Sequence, residues 1–182
     1  MYEHKPNNLV ACICEGNAEL EIMELLLEHD KLKFIEEDLL DDRLFSKLMR
    51  SARNLETRYL SQNFEPNQKV EIIRIVDSRA ESYVIRGAYK SKVEGEVVNC
   101  FTRPEIEVLI IINEGKYDQF KRSKKKPSDY CIHDLKMRKN IKNKGFIADY
   151  FANIDGLINA LKEYHQRRPD KNEDTIFSLL KI

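Results

Sequence analysis

Several features are missing from this chain of 182 residues, and each absence narrows what it can be. No stretch approaches the roughly 18 consecutive apolar residues of a bilayer-spanning helix. The opening segment, Met1 to Asn8, lacks the basic-then-apolar order of a secretory signal. Cys12, Cys14, Cys100 and Cys131 include no CxxC pair. Cys12 and Cys14 flank a single residue of an expected strand, which favours packed thiols over zinc or a disulfide. The expected setting is a reducing cytoplasm, with no membrane partner. Ser78 has no nucleophile-elbow glycines and no histidine near it in sequence. His4, His29, His133 and His165 are scattered, with no acid–base partner in view. There is no internal repeat, and no low-complexity segment beyond Lys124-Lys125-Lys126.

What is present fits one globular domain. The hydrophobic fraction of 42% allows a core, while a charged fraction of 34% demands a heavily charged surface. The formal net charge of zero conceals an asymmetry. Eleven acids lie between Glu15 and Asp42, against Lys31 and Lys33. Eleven bases lie between Lys116 and Lys144 (Arg138, Lys139 and Lys142 among them), against Asp118, Asp129 and Asp134. A metal site beside a phosphate-binding surface has this distribution, and so does a solvated helix followed by a basic loop. Tyr117, Phe120 and Tyr130 lie among the bases, which favours contact with nucleic acid or phosphate.

The apolar run Leu9 to Cys14 reads as a buried strand, followed by a helix from Ala18 to His29. A short strand is expected at Lys33-Phe34-Ile35. A helix is expected from Asp42 to Leu60, with Leu44, Phe45, Leu48, Leu55 and Tyr59 as its apolar set. Val70 to Val76 is the clearest strand, and Gly95 to Phe101 reads as another. Pro104 and Glu105 favour a buried helix over Glu105 to Asn113, stopped at Gly115. A basic loop is expected after Lys121, then helices near Ser128 to Met137, through Phe146 to Phe151 and from Ile154 to Gln166. A short terminal helix is expected behind a cap at Asn172-Glu173-Asp174. This order fits an α/β layer with a helical C-terminal cover.

Acidic residues recur where strands end: Glu15 and Glu19, then Asp77, then Glu105 and Glu107. Parallel strands deliver such residues to one edge of a sheet, where open α/β folds place their ligands. Clustered carboxylates repel, and a hard cation such as magnesium relieves that repulsion. The resulting site could activate water or a hydroxyl for phosphoryl transfer. Glu15 and Glu19 also have a plainer use, since carboxylates favour a helix N-terminus.

These segments resemble the Toprim fold, in the small stand-alone form of RloB-like and AbiL-type phage-defence proteins. Cys14-Glu15-Gly16, with Glu19 behind it, matches the first motif, a glutamate–glycine turn after the opening strand. Val76-Asp77-Ser78-Arg79 is similar to the Asp-x-Asp motif, with Arg79 in place of the second aspartate. Arg103-Pro104-Glu105-Ile106-Glu107 is similar to an Asn-Pro-x-x-Glu segment, with Arg103 for the asparagine. The resemblance spans Leu9 to Pro127. It implies a Toprim-like, Rossmannoid, mostly parallel sheet flanked by helices over 1–127, with 128–182 a helical extension packed on the same domain. It implies a metal-dependent nuclease of antiphage defence, cutting DNA or RNA with Mg2+ or Mn2+ beside an ABC- or AAA-type ATPase, with its oligomeric state open. The catalytic set would be Glu15, Asp77, Glu107 and Arg79, with metal ligands among Glu15, Glu19, Asp77, Glu105 and Glu107. Lys121, Arg122, Lys124, Lys125 and Lys126 would hold nucleic acid. Arg79 leaves two outcomes: one metal with Arg79 gripping phosphate, or a regulatory module that has lost catalysis and docks an ATPase or nucleic acid.

Overall fold

A computed structural model describes residues 2–79, 82–137, 141, 143–168 and 170–181. Arg138, Lys139 and Lys142 of the basic stretch lie outside them. Three strands, β1 (Leu9–Cys14), β2 (Val70–Val76) and β3 (Val98–Phe101), form a parallel sheet in the order β1-β2-β3. Leu9 aligns with Val70 at the start of the first ladder, and Val76 with Phe101 at the end of the second. The central strand β2 is buried along its whole length. Its β-branched residues suit a pleated strand covered on both faces.

The period of two sorts β1 and β2 between two cores. Val10, Cys12, Ile73 and Ile75 join one apolar cluster, whereas Ala11, Ile13, Val70 and Ile72 join the other. Helices cover the first face. The principal ones are α1 (Asn17–Glu28), the short helix 52–55 being α2, then α3 (Val108–Asn113), α4 (Tyr117–Ser123), α5 (Pro127–His133), α6 (Phe146–Tyr150) and α7 (Ile154–Arg167). Ile147, Phe151, Leu157 and Leu161 enter the same cluster as Cys12 and Ile73, so the chain beyond Pro127 shares the sheet's core. In α3 all but Asn113 is buried, as its unbroken apolar run demands. Gly115, at φ +65°, turns the chain after it at no steric cost. The face of α7 that carries Leu157, Ala160, Leu161 and Tyr164 is buried, and Asn153 caps its start by accepting the Asp155 N–H at 3.1 Å.

The second face lacks the long helix expected from Asp42 to Leu60. The segment breaks into a 3-10 turn at Lys47–Arg50, α2, and a π-helical turn at Glu56–Leu60. Phe45 explains the break. Its N–H donates to Cys12 O and its C=O accepts from Cys14 N–H, both at 2.8 Å, which pins it extended alongside β1. No strand forms at Lys33-Phe34-Ile35 either. Leu32 makes a single antiparallel bridge with Leu180, and the Ile35 N–H turns to the Asp38 carboxylate at 2.9 Å. The expected loop after Lys121 begins later, since α4 carries Lys121 and Arg122. The last 3-10 helix, Ile176–Leu179, starts at Thr175 rather than at 172–174, with Ser178 closing a capping box.

Candidate functional site

Because the three strands are parallel and adjacent, their C-terminal ends share one edge. Glu15 leaves β1 there, with its N–H on Ile75 O at 3.0 Å. Its Oε2 accepts the backbone N–H of Asp77 at 2.9 Å, which ties the exit of β1 to the exit of β2. Its Oε1 accepts from the Arg50 guanidinium, a partner that no motif signalled.

Glu19 lies in the first turn of α1, and its carboxylate folds back over the turn. A Cβ on Gly16 would come within 2.5 Å of Glu19 Oε2, so a side chain at that position would displace the carboxylate. Glu19 is 7% exposed and makes no ion pair among the described residues. Burial pushes its carboxyl up to about 7, with Glu107, Asp77 and Glu15 adding repulsion and its own backbone N–H opposing the rise. Glu15, Asp77 and Glu107 are thus each close enough to act on Glu19. Glu107 is itself buried, at the start of α3. Glu105 is engaged differently: its Oε2 accepts the Ser128 N–H of α5 at 3.0 Å. Glu21, one turn-face away from Glu19, is buried against α6 and accepts N–H groups from Gly145, Ile147 and Ala148 at 2.6–3.3 Å. Glu105 and Glu21 thus serve structure, by meeting backbone donors at helix starts.

Beside the acids is a cavity of about 590 Å³. Asp77 and Arg103 line it from the exits of β2 and β3, Tyr117 and Lys121 from α4, Lys124 from the turn after α4, and Tyr164 from α7. Lys121 and Lys124 make no ion pair among the described residues, whereas Lys125, also in the wall, meets Asp134 at 2.6 Å. Arg122 and Lys126 are exposed and do not line the cavity. Arg103 pairs with Glu173, and its backbone N–H and C=O both meet the Tyr164 hydroxyl. Its Nε has no hydrogen-bond partner among the described residues. Arg79 points elsewhere, to Glu173 and Asp170 at 2.6 Å each, and ties the C-terminal segment to the exit of β2.

The donors at this edge are carboxylate oxygens, the set a hard divalent cation takes. Glu19, buried and without an ion pair among the described residues, fits such an ion. Among the described residues, no three histidine, cysteine, aspartate or glutamate side chains are already gathered at ligating geometry, and both oxygens of Glu15 are occupied. No helix among the described residues is long and apolar enough to cross a membrane. The chain matches no known family, no curated protein and no solved structure.

Proposed function

We propose that the chain is a Toprim-like nuclease that cleaves phosphodiester bonds of DNA or RNA with Mg2+ or Mn2+. The observation that carries this reading is the buried Glu19, its carboxyl raised to about 7 and crowded by Glu15, Asp77 and Glu107, of which Asp77 also lines a basic cavity. Glu19, Asp77 and Glu107 would hold the ion, and Glu15 would join them on leaving Arg50. A bound divalent cation supplies polarisation of a phosphoryl oxygen and a more acidic bound water. The chain's own part is electrostatic. Lys121, Lys124 and Arg103 set positive charge where phosphate would lie, next to carboxylates that its negative charge would otherwise avoid. Glu19 can hold or release a proton near neutral pH. The resemblance adds a role in antiphage defence and an ATPase partner of the ABC or AAA type.

A second reading is a regulatory module that binds nucleic acid or an ATPase without cutting. The Arg50–Glu15 pair favours it, since a guanidinium already neutralises the glutamate of the first motif. One experiment separates the two. The purified protein, with any partner ATPase present, is incubated with single-stranded and duplex DNA and RNA in Mg2+, Mn2+ or chelator. The nuclease reading expects cutting that chelator stops and that Glu15→Gln abolishes while the fold persists. Identical products from wild type and Glu15→Gln, or no cutting in either metal, would leave the regulatory reading.

A further inference from the structure

We infer that the cavity beside the acidic edge receives one unpaired nucleotide, so that the nucleic acid bound here is single-stranded at the reacting position. The inference rests on the proposed function and adds the form of its substrate. About 590 Å³ is a small-molecule volume, within the roughly 300–1,000 Å³ typical of ligand-binding clefts and cavities. A single nucleotide fits such a space, and a stacked base pair in a duplex does not reach into it without leaving the helix.

The wall has the two chemistries that a nucleotide needs. Tyr117 is half-buried in it, with the Arg167 guanidinium 5.1 Å from its ring centroid and the Phe120 ring, also in the wall, at 6.3 Å, so the ring is held by neighbours on its own helix and on α7. Lys121 and Lys124, unpaired among the described residues, lie one turn and more along from Tyr117 and can meet the flanking phosphate. Asp77 is in the same wall, and its backbone N–H is bound by Glu15, so a nucleotide seated on Tyr117 has its phosphate between the lysines and the acidic edge. Stacking on an aromatic ring combined with a basic groove is how single strands are bound without sequence preference.

The test is fluorescence anisotropy in chelator, where cutting cannot interfere. It uses a short labelled single strand, the same sequence closed into a hairpin duplex, and a free nucleoside monophosphate. The single strand should bind at least about tenfold more tightly than the hairpin. Tyr117→Ala should weaken the single strand about tenfold, a usual effect of removing one stacking ring, leave hairpin affinity unchanged, and be rescued by Tyr117→Phe. If Tyr117→Ala lowers the melting temperature, Tyr117→Leu replaces it, since it keeps apolar bulk without a ring face. Equal affinity for strand and hairpin would overturn the inference, as would normal strand binding by a folded variant without the ring. A monophosphate that binds as tightly as the strand would also overturn it and make a free nucleotide the ligand. Failure of the nuclease reading looks different: strand preference and the Tyr117 effect persist, while no metal produces cutting.

Discussion

Replacing Glu19 by Gln should stabilise the protein, and the gain should depend on pH. Gln keeps the shape of a protonated glutamic acid and removes the charge. In the fold the Glu19 carboxyl is raised to about 7 from an ordinary value of 4.5. Each unit is about 1.36 kcal/mol, so holding the ionised form in its buried place costs about 3 kcal/mol. The sign follows from linkage. The folded state binds this proton more tightly than the unfolded chain, so the associated stability is complete below pH 4.5 and is lost as pH rises to 7 and beyond. Wild type should therefore weaken by about 3 kcal/mol across that window relative to Glu19→Gln, a difference of roughly 6–12 °C in melting temperature for a chain of this size. Urea titrations of both proteins at pH 4.5, 6 and 8 measure it. Saturating Mg2+ at pH 8 should return part of the loss in wild type only, about 2.7 kcal/mol at a hundredfold excess over its Kd. Parallel stability–pH curves for the two proteins, or a Gln variant weaker than wild type at pH 8, would refute the reasoning.

Gly16→Ala should leave stability within about 1 kcal/mol, because the Gly16 backbone is extended and, among the described residues, a Cβ there would meet only the flexible end of Glu19. It should nevertheless impair any metal-dependent cutting, since the Cβ takes the space of Glu19 Oε2. Arg50→Met should tighten divalent-cation binding in chelator-buffered titration, by freeing Glu15 Oε1 from its competing guanidinium. Lys121→Ala and Lys124→Ala should each lower the slope of log affinity against log salt by about 0.7 on a single strand, while Lys126→Ala, outside the cavity, leaves it unchanged. Glu71→Ala should cost about 1–3 kcal/mol for each buried donor it strands, read by urea unfolding. That buried carboxylate accepts from the Tyr2 hydroxyl at 2.5 Å, the Lys5 N–H at 2.9 Å and the Asn8 amide at 3.0 Å, and the loss would strand all three donors.

Strands and the longer helices were legible in the sequence because burial there follows a local period. Leu9 to Cys14 is apolar throughout and Val70 to Val76 is apolar but for Glu71 and Arg74, and both became the covered core of a parallel sheet. The span from Asp42 to Leu60 misled because its apolar spacing is helical while its fate is decided by a distant partner. Phe45 pairs with β1, and a residue bonded on both sides to another strand cannot also propagate a helix. Lys33 to Ile35 failed for the converse reason: its neighbours in space are the last residues of the chain, and only Leu32 reaches them in register. Buried charge within β2 was equally invisible, since the alternation that directs Glu71 towards Tyr2 and Arg74 towards Tyr83 appears only once the two faces are known.

The acidic edge shows the same division between what position implies and what partners decide. Carboxylates at the ends of parallel strands must share an edge, and that much follows from strand order. Which of them stays available for a ligand depends on where backbone donors fall. Glu105 meets the start of α5 and Glu21 the start of α6, so their charge is absorbed by amide groups. Glu15 is held between Arg50 and the Asp77 N–H. Glu19 alone among these four has only its own backbone N–H to offset its burial, and its carboxyl rises accordingly. A fold that buries an acid at such expense, beside a cavity in whose wall Lys121 and Lys124 make no ion pair among the described residues, stores electrostatic free energy that a cation and a phosphate together would release. That is the physical reason for seeking function at this edge rather than in the larger acidic and basic runs, most of whose charge is spent on solvent and on local pairs.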